Sequence, residues 1–205
     1  MSRTRFKDRG QAGQMLAVEL ARYADRDDVV VLGLPRGGVP VAAEVAEALR
    51  VPLDVLIVRK LGVPGWEELA MGAIASGGVR VINDQVVRAE GITEEMIDAA
   101  AARELKELRR RETGYRGHTG APAVGGKTVI LVDDGIATGA TIKAAVQALR
   151  QQGPSHLVIA VPTAAPDSRA MLEPMVDEFV CLLTPADFRA VGQWYENFPQ
   201  TPDDE

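Results

Sequence analysis

Two adjacent carboxylates, Asp133 and Asp134, follow the apolar run "VILV" and lead into "GIATGAT", a stretch of small residues and hydroxyls. That stretch runs into a helical pattern. A helix N-terminus presents unpaired N–H groups at the positive end of its dipole and binds anions. Gly139 and Ala140 let backbone come close to a ligand, and Thr138 and Thr141 add hydroxyl donors, so Ala137 to Thr141 suits a phosphate monoester. Asp133 and Asp134 would repel that phosphate. Adjacent acids beside it suit a sugar diol, or a magnesium ion held through water. Phosphate on one side and diol on the other describe a ribose 5-phosphate.

Two other stretches carry charge beside glycine. "LPRGG" offers Arg36 next to Gly37 and Gly38. A pyrophosphate needs a cation and exposed amides, and glycine lets strained backbone approach it. Arg59 and Lys60 open "RKLGVPGWEE", where Trp66, Glu67 and Glu68 have no assigned task. "GGKT" at 125–128 imitates the end of a Walker A motif, but Ala121 stands where that spacing needs Gly, and a strand follows it. His118 and His156 have no metal-ligand partners at useful spacing and read as surface or strand-edge residues. "ELKELRRRE" reads as a solvated helix face with favourable charge pairs.

The elements that must hold these residues alternate along the chain. Apolar runs at 29–34, 53–58, 128–132, 157–161 and 179–183 read as strands covered on both faces of a parallel sheet. Helical spacing follows the first run (Val39, Ala42, Ala43, Ala46, Leu49) and the third (Ile142, Ala145, Val146, Leu149). A longer helix over 93–111, capped by Thr93, buries Ile97, Ala101, Leu105 and Leu108. The segment 71–83 predicts an edge hairpin turning at Gly77–Gly78. The expected class is α/β, a doubly wound, mainly parallel sheet of about five strands with flanking helices. That topology sets every strand-to-helix loop at one edge, so the "PRGG", "RKLGVPGWEE" and "DDGIATGAT" loops should meet there. Residues 1–205 are expected to form a single domain, with 184–205 a hood or terminal extension. Phe188, Trp194, Tyr195 and Phe198 cluster in that extension, either packing it or stacking on a flat ligand. The tail "QTPDDE" is expected to be frayed.

Composition bounds the partners. Lys and Arg total 23 against 29 Asp and Glu, a net charge of −6, which repels nucleic acid and anionic lipid and requires any anion to meet a local positive site. Cys181, the single cysteine, reads as a small core residue in a reducing compartment. With no secretory signal and no apolar stretch long enough for a bilayer, the expectation is a cytoplasmic protein with no membrane partner.

"VILVDDGIATGAT" resembles the signature of the type I phosphoribosyltransferases, which bind 5-phosphoribosyl 1-pyrophosphate (PRPP). Gly135 replaces a more usual aliphatic residue. With "GLPRGGVPVAAEVA", "VRKLGVPGWEELAMGAI" and "DFRAVGQWYENFPQTPDDE", the chain is similar over nearly its full length to bacterial phosphoribosyltransferases of unassigned acceptor. The resemblance implies a pentosyl-transferring glycosyltransferase of nucleotide metabolism. It would move the phosphoribosyl group from PRPP to a nitrogen acceptor, such as a nucleobase, and release pyrophosphate. It implies that Asp133 and Asp134 hold the ribose hydroxyls and that Ala137 to Thr141 cradle the 5-phosphate. Arg36, Gly37 and Gly38 match a pyrophosphate loop that often carries a strained or cis peptide. Arg59 and Lys60 would belong to a mobile basic loop closing over a cation-like ribosyl centre. Mg2+, bound by Asp133 and Asp134 through water, and a homodimer are further implications. Ala137 stands where transferases for 6-oxopurines place an acid, so the resemblance does not extend to that purine-salvage role. The alternative is a catalytically silent PRPP-sensing regulator on the same fold. A phosphatase using Asp133 ranks last, because Val132 breaks the D-x-D arrangement.

Overall fold

The computed structural model describes residues 5–116 and 121–201; His118 and the tail residues 202–205 lie outside the described residues. In chain order the elements begin with α1 (Arg9–Glu19), β1 (Val29–Gly33), α2 (Gly38–Leu49), β2 (Leu53–Val55), β3 (Val58–Val63), β4 (Trp66–Ala75) and β5 (Val79–Ile82). Next come α3 (Asp84–Ala89), α4 (Glu94–Arg116), β6 (Thr128–Val132), α5 (Ala140–Gln151), β7 (His156–Thr163), α6 (Pro166–Leu172) and β8 (Glu178–Leu183). They form two compact units.

The first unit takes the described residues up to Val55, then Val124–Ala140, then those from Gly153 onward. Its sheet has five strands in the order β2-β1-β6-β7-β8, and every pairing is parallel. The chain winds outward from β1 to β2 on one side, and from β6 through β7 to β8 on the other. The winding therefore reverses between β1 and β6, the place where open α/β sheets bind ligands at the carboxyl ends of their strands. Gly33 pairs with Val132, and Leu34 N donates to the Val132 carbonyl at 2.9 Å, so the two strands end level. The doubly wound α/β expectation holds.

One face of the sheet presents Val29, Val31, Ile130, Val132, Val158 and Ala160, which pack with Leu16 and Leu20 of the α1 region and Val41, Val45 and Leu49 of α2. The alternate residues Val30, Leu32, Val129, Leu131 and Ile159 are equally buried, which is why the runs are apolar throughout. Asp8 caps α1 by accepting from Gln11 N at 2.8 Å. A smaller cluster of Phe6, Ala12 and Tyr195, with Val191 and Phe198 against it, packs the C-terminal stretch onto the N-terminal one through a parallel Phe6–Tyr195 bridge. Phe188 stacks on Trp194 at 6.4 Å. Phe188 and Trp194 thus contact each other, and Tyr195 and Phe198 pack in the smaller cluster. Cys181 departs from expectation: it is half-buried on edge strand β8, because only one side of that strand is paired.

The second unit comprises Leu56–Ala123, as described, and Thr141–Gln152. Its strands form an antiparallel sheet in the order β3-β4-β5. Two expectations need correction. The second predicted strand stops at Val55, and Val58 opens β3. "RKLGVPGWEE" is no strand-to-helix loop: it is β3, a two-residue Pro64–Gly65 turn, and the start of β4. Gly65 has φ +82°, as the third position of a type II turn after proline requires. The expected hairpin turns at Ser76–Gly78, but it belongs to this separate sheet. The long helix runs further than predicted, to Arg116, with Thr93 Oγ1 accepting from Met96 N at 3.3 Å. Its exposed face carries the expected pairs, Glu107 with Arg110 at 2.8 Å and with Arg111 at 3.0 Å. "GGKT" forms the turn entering β6, and His156 opens β7.

Candidate functional site

Asp133 and Asp134 continue β6 beyond its last pairing, at the carboxyl edge where the winding reverses. Both are half-buried. Asp133 Oδ1 accepts from Asp134 N at 2.8 Å, so the first acid stiffens the backbone that carries the second. Burial pushes the Asp133 carboxyl well above the ordinary range, and the neighbouring Asp134 charge adds to the effect. Burial also raises Asp134, against a nearby arginine, Arg9, that draws it down.

The "PRGG" loop crosses directly over this pair, and its Pro35–Arg36 peptide is cis. A Cβ at Gly37 would sit 1.9 Å from Asp134 Oδ2; one at Gly38 would sit 2.7 Å from the Val132 carbonyl and 2.9 Å from Asp133 Cα. Only glycine permits that approach. Two of the three loops predicted to converge therefore do so. Arg36 is exposed beside them.

The small-residue loop is tied down from below. Ile136 forms a bridge with Ala164, donating to the Thr163 carbonyl at 2.9 Å and accepting from Ala165 N at 2.8 Å. The Ala137 carbonyl accepts from Ser168 Oγ. Gly139 has φ +74°. Ala137, Thr138 and Ala140 are exposed, and the chain then enters α5, on which Thr141 is also exposed. Both hydroxyl-bearing residues of the loop, Thr138 and Thr141, are therefore at the surface.

Arg59 and Lys60 sit on β3 of the second unit. Arg59 bonds Glu104 of α4 at 2.7 Å, and the exposed Lys60 lies 3.7 Å from Glu68. Trp66, at the β4 end of the hairpin, is 57% exposed.

Arg9 and Val191 had no sequence signal, and Tyr195 stood out only as one of the clustered C-terminal aromatics. Arg9 Nε and Nη2 both reach Asp134 Oδ2 at 2.9 Å, while Nη1 donates to the Pro199 carbonyl at 2.7 Å. Its guanidinium lies 4.0 Å from the Phe198 ring centroid. Tyr195 Oη donates to the Asp134 carbonyl at 2.6 Å; burial pushes its phenol up, so it stays a donor. Val191 explains the unusual Gly135. A Cβ there would meet Val191 Cγ1 at 2.6 Å and Thr163 Cγ2 at 3.0 Å, so the C-terminal stretch fills the space a side chain would need.

Among the described residues no group of three or more His, Cys, Asp or Glu could hold a metal ion by itself. Two adjacent acids nevertheless fit magnesium, which keeps waters and takes oxygens from substrate phosphates. Among the same residues no helix is long and apolar enough to cross a membrane.

A family profile described as "Phosphoribosyl transferase domain" matches residues 3–192. The chain belongs to that family. It is 54% identical over 200 residues to a Mycobacterium tuberculosis H37Rv protein named "Putative phosphoribosyl transferase Rv0571c", covering 98% of this chain and 45% of the relative. The chain thus spans less than half the length of this relative. The crystal structure of TT1426 from Thermus thermophilus is 43% identical and superposes with a TM-score of 0.85, covering 98% of this chain and 94% of that one. A purine phosphoribosyltransferase from Pyrococcus horikoshii, 18% identical over 95% of this chain and 92% of its own, shares the fold with a TM-score of 0.51.

Two expectations follow for the phosphoribosyl transferase fold without ligand. A carboxyl raised on folding costs stability as pH climbs from its unfolded value through its folded one. Asp133→Asn, which keeps an acceptor for Asp134 N, is therefore more stable than wild type at pH 7. The gain shrinks toward pH 4.5. Denaturant midpoints that match wild type at both pH values contradict this. In the second, Gly135→Ala destabilises by about 1–3 kcal/mol through overpacking. Combining it with Val191→Ala costs less than the two single changes together, by on the order of 1 kcal/mol. Strict additivity in the same melts removes the assignment of Val191 to that space.

Proposed function

We propose that this chain transfers the 5-phosphoribosyl group of PRPP to a nitrogen acceptor and releases pyrophosphate. The observation that carries the reading is the passage of Gly37 and Gly38 within a Cβ's reach of Asp133 and Asp134. Backbone that can grip a pyrophosphate lies against acids that can hold a diol. In this reading Asp133 and Asp134 bind the ribose hydroxyls and orient the sugar. Ala137, Thr138, Gly139, Ala140 and Thr141 receive the 5-phosphate on open amides and hydroxyls. Arg36, Gly37 and Gly38 hold the pyrophosphate and stabilise the charge it gains on leaving. The paired acids favour the positive charge that develops at C1. A closing role for Arg59 and Lys60 rests on the family resemblance alone, since both lie on a paired strand and Arg59 bonds Glu104.

Asp133 and Asp134 would hold magnesium through water. When bound, the ion would supply electrostatic stabilisation of the departing pyrophosphate. The acceptor attacks C1 through a nitrogen lone pair as the C1–O bond to pyrophosphate breaks, and no covalent enzyme intermediate is needed. Ala137 offers no acid to an incoming base, which directs the acceptor search away from 6-oxopurines. Small-molecule substrates, a homodimer and a cytoplasmic setting complete the proposal.

Calorimetric titration of PRPP with magnesium, together with pyrophosphate release across a panel of nitrogen acceptors, tests it. Wild type should bind PRPP and turn over with at least one acceptor. Binding without any turnover would favour the silent PRPP sensor. The folded Asp133→Asn/Asp134→Asn variant should lose on the order of 1.5–3 kcal/mol of PRPP binding for each charge-assisted hydrogen bond removed. Wild-type affinity in that variant would overturn the ribose assignment.

A further inference from the structure

We propose that Arg9 is a positioning residue for the acid pair, acting on Asp134 and anchored in turn by the stretch Tyr195–Pro199. Its functional consequence rests on the ribose assignment made above.

Both Arg9 contacts to Asp134 fall on Oδ2, and the Asp134 amide takes Oδ1 of Asp133. The remaining oxygen of each acid, Asp134 Oδ1 and Asp133 Oδ2, is the one this arrangement offers to a pair of vicinal hydroxyls. An acid beside a like charge would otherwise rotate toward water, and the spacing of the two offered oxygens would be lost. Arg9 opposes that rotation and leaves the pair with less net charge for an anionic ligand to meet.

Arg9 is itself held on three sides. Asp134 takes Nε and Nη2, the Pro199 carbonyl takes Nη1, and the Phe198 ring lies across the guanidinium face. The side chain is only 11% exposed. A planar fork with five donors can make all these contacts together, whereas an ammonium group cannot. Tyr195 fixes the other side of the same residue through the Asp134 carbonyl. The acid pair is therefore set by residues from both ends of the described chain.

The test compares Arg9→Gln, Arg9→Lys and wild type, with Arg22→Gln as the control. Arg22 forms its ion pair with Glu178, away from the acid pair. PRPP with magnesium is titrated into each folded protein by calorimetry. Arg9→Gln should weaken binding at least about tenfold, Arg9→Lys should recover part of the loss, and Arg22→Gln should match wild type. Wild-type affinity in Arg9→Gln would overturn the inference while leaving the ribose assignment in place. If wild type itself binds no PRPP, the functional reading fails, and amide hydrogen exchange of the ligand-free proteins decides the positioning role. Faster exchange at 134–136 and 195–197 in Arg9→Gln, but not in Arg22→Gln, supports it; unchanged exchange there refutes it. Should Arg9→Gln not fold, Arg9→Lys carries both readouts against the same control.

Discussion

Two carboxylates held side by side at the end of a buried strand repel each other, and their surroundings are arranged around that repulsion. Neither is free to move apart: one accepts from the other's amide, and both follow a strand paired on each side. Burial pushes both carboxyls up, and the Asp134 charge pushes Asp133 further, so the ionised pair is a cost to the protein without ligand. A fold built for stability alone would not keep such a pair. The cost is limited by Arg9, whose guanidinium draws Asp134 down.

The same crowding explains the small residues. Gly37 and Gly38 are small because Asp134, Asp133 and the Val132 carbonyl stand where a Cβ would be. Gly135 is small because Val191 reaches in from another part of the chain. In the first case a side chain was given up so that a loop could cross the acids. In the second it was exchanged for one supplied from elsewhere. Site and scaffold thus share atoms, and a change made for packing alters the acids as well.

Much of this was legible in the residue order. Continuous apolar runs marked all five strands of the parallel sheet, and in the central β1, β6 and β7 burial on both faces leaves no polar positions to interrupt them. The convergence of "PRGG" with "DDGIATGAT" followed from winding rules alone. The misses share a physical cause. A single run, 53–58, gives no sign of where a strand changes partners, so the break after Val55 was invisible. Pro64–Gly65 carries the same residues whether it closes a hairpin or opens a loop. Arg9 lies 125 residues from Asp134 and looks like any other cation in a charged N-terminal stretch. Long-range pairing leaves no local trace.

The bond from Tyr195 to Asp134 spans 61 residues, and Arg9 joins Asp134 to Pro199. A ribosome makes Arg9 before the acids, and residues 195–199 later still. A nascent chain halted short of Tyr195 can contain every strand of both sheets and yet lack two of the contacts that set the acids. The geometry of the acid pair is thereby deferred during biosynthesis until after the sheet that supports it has been made.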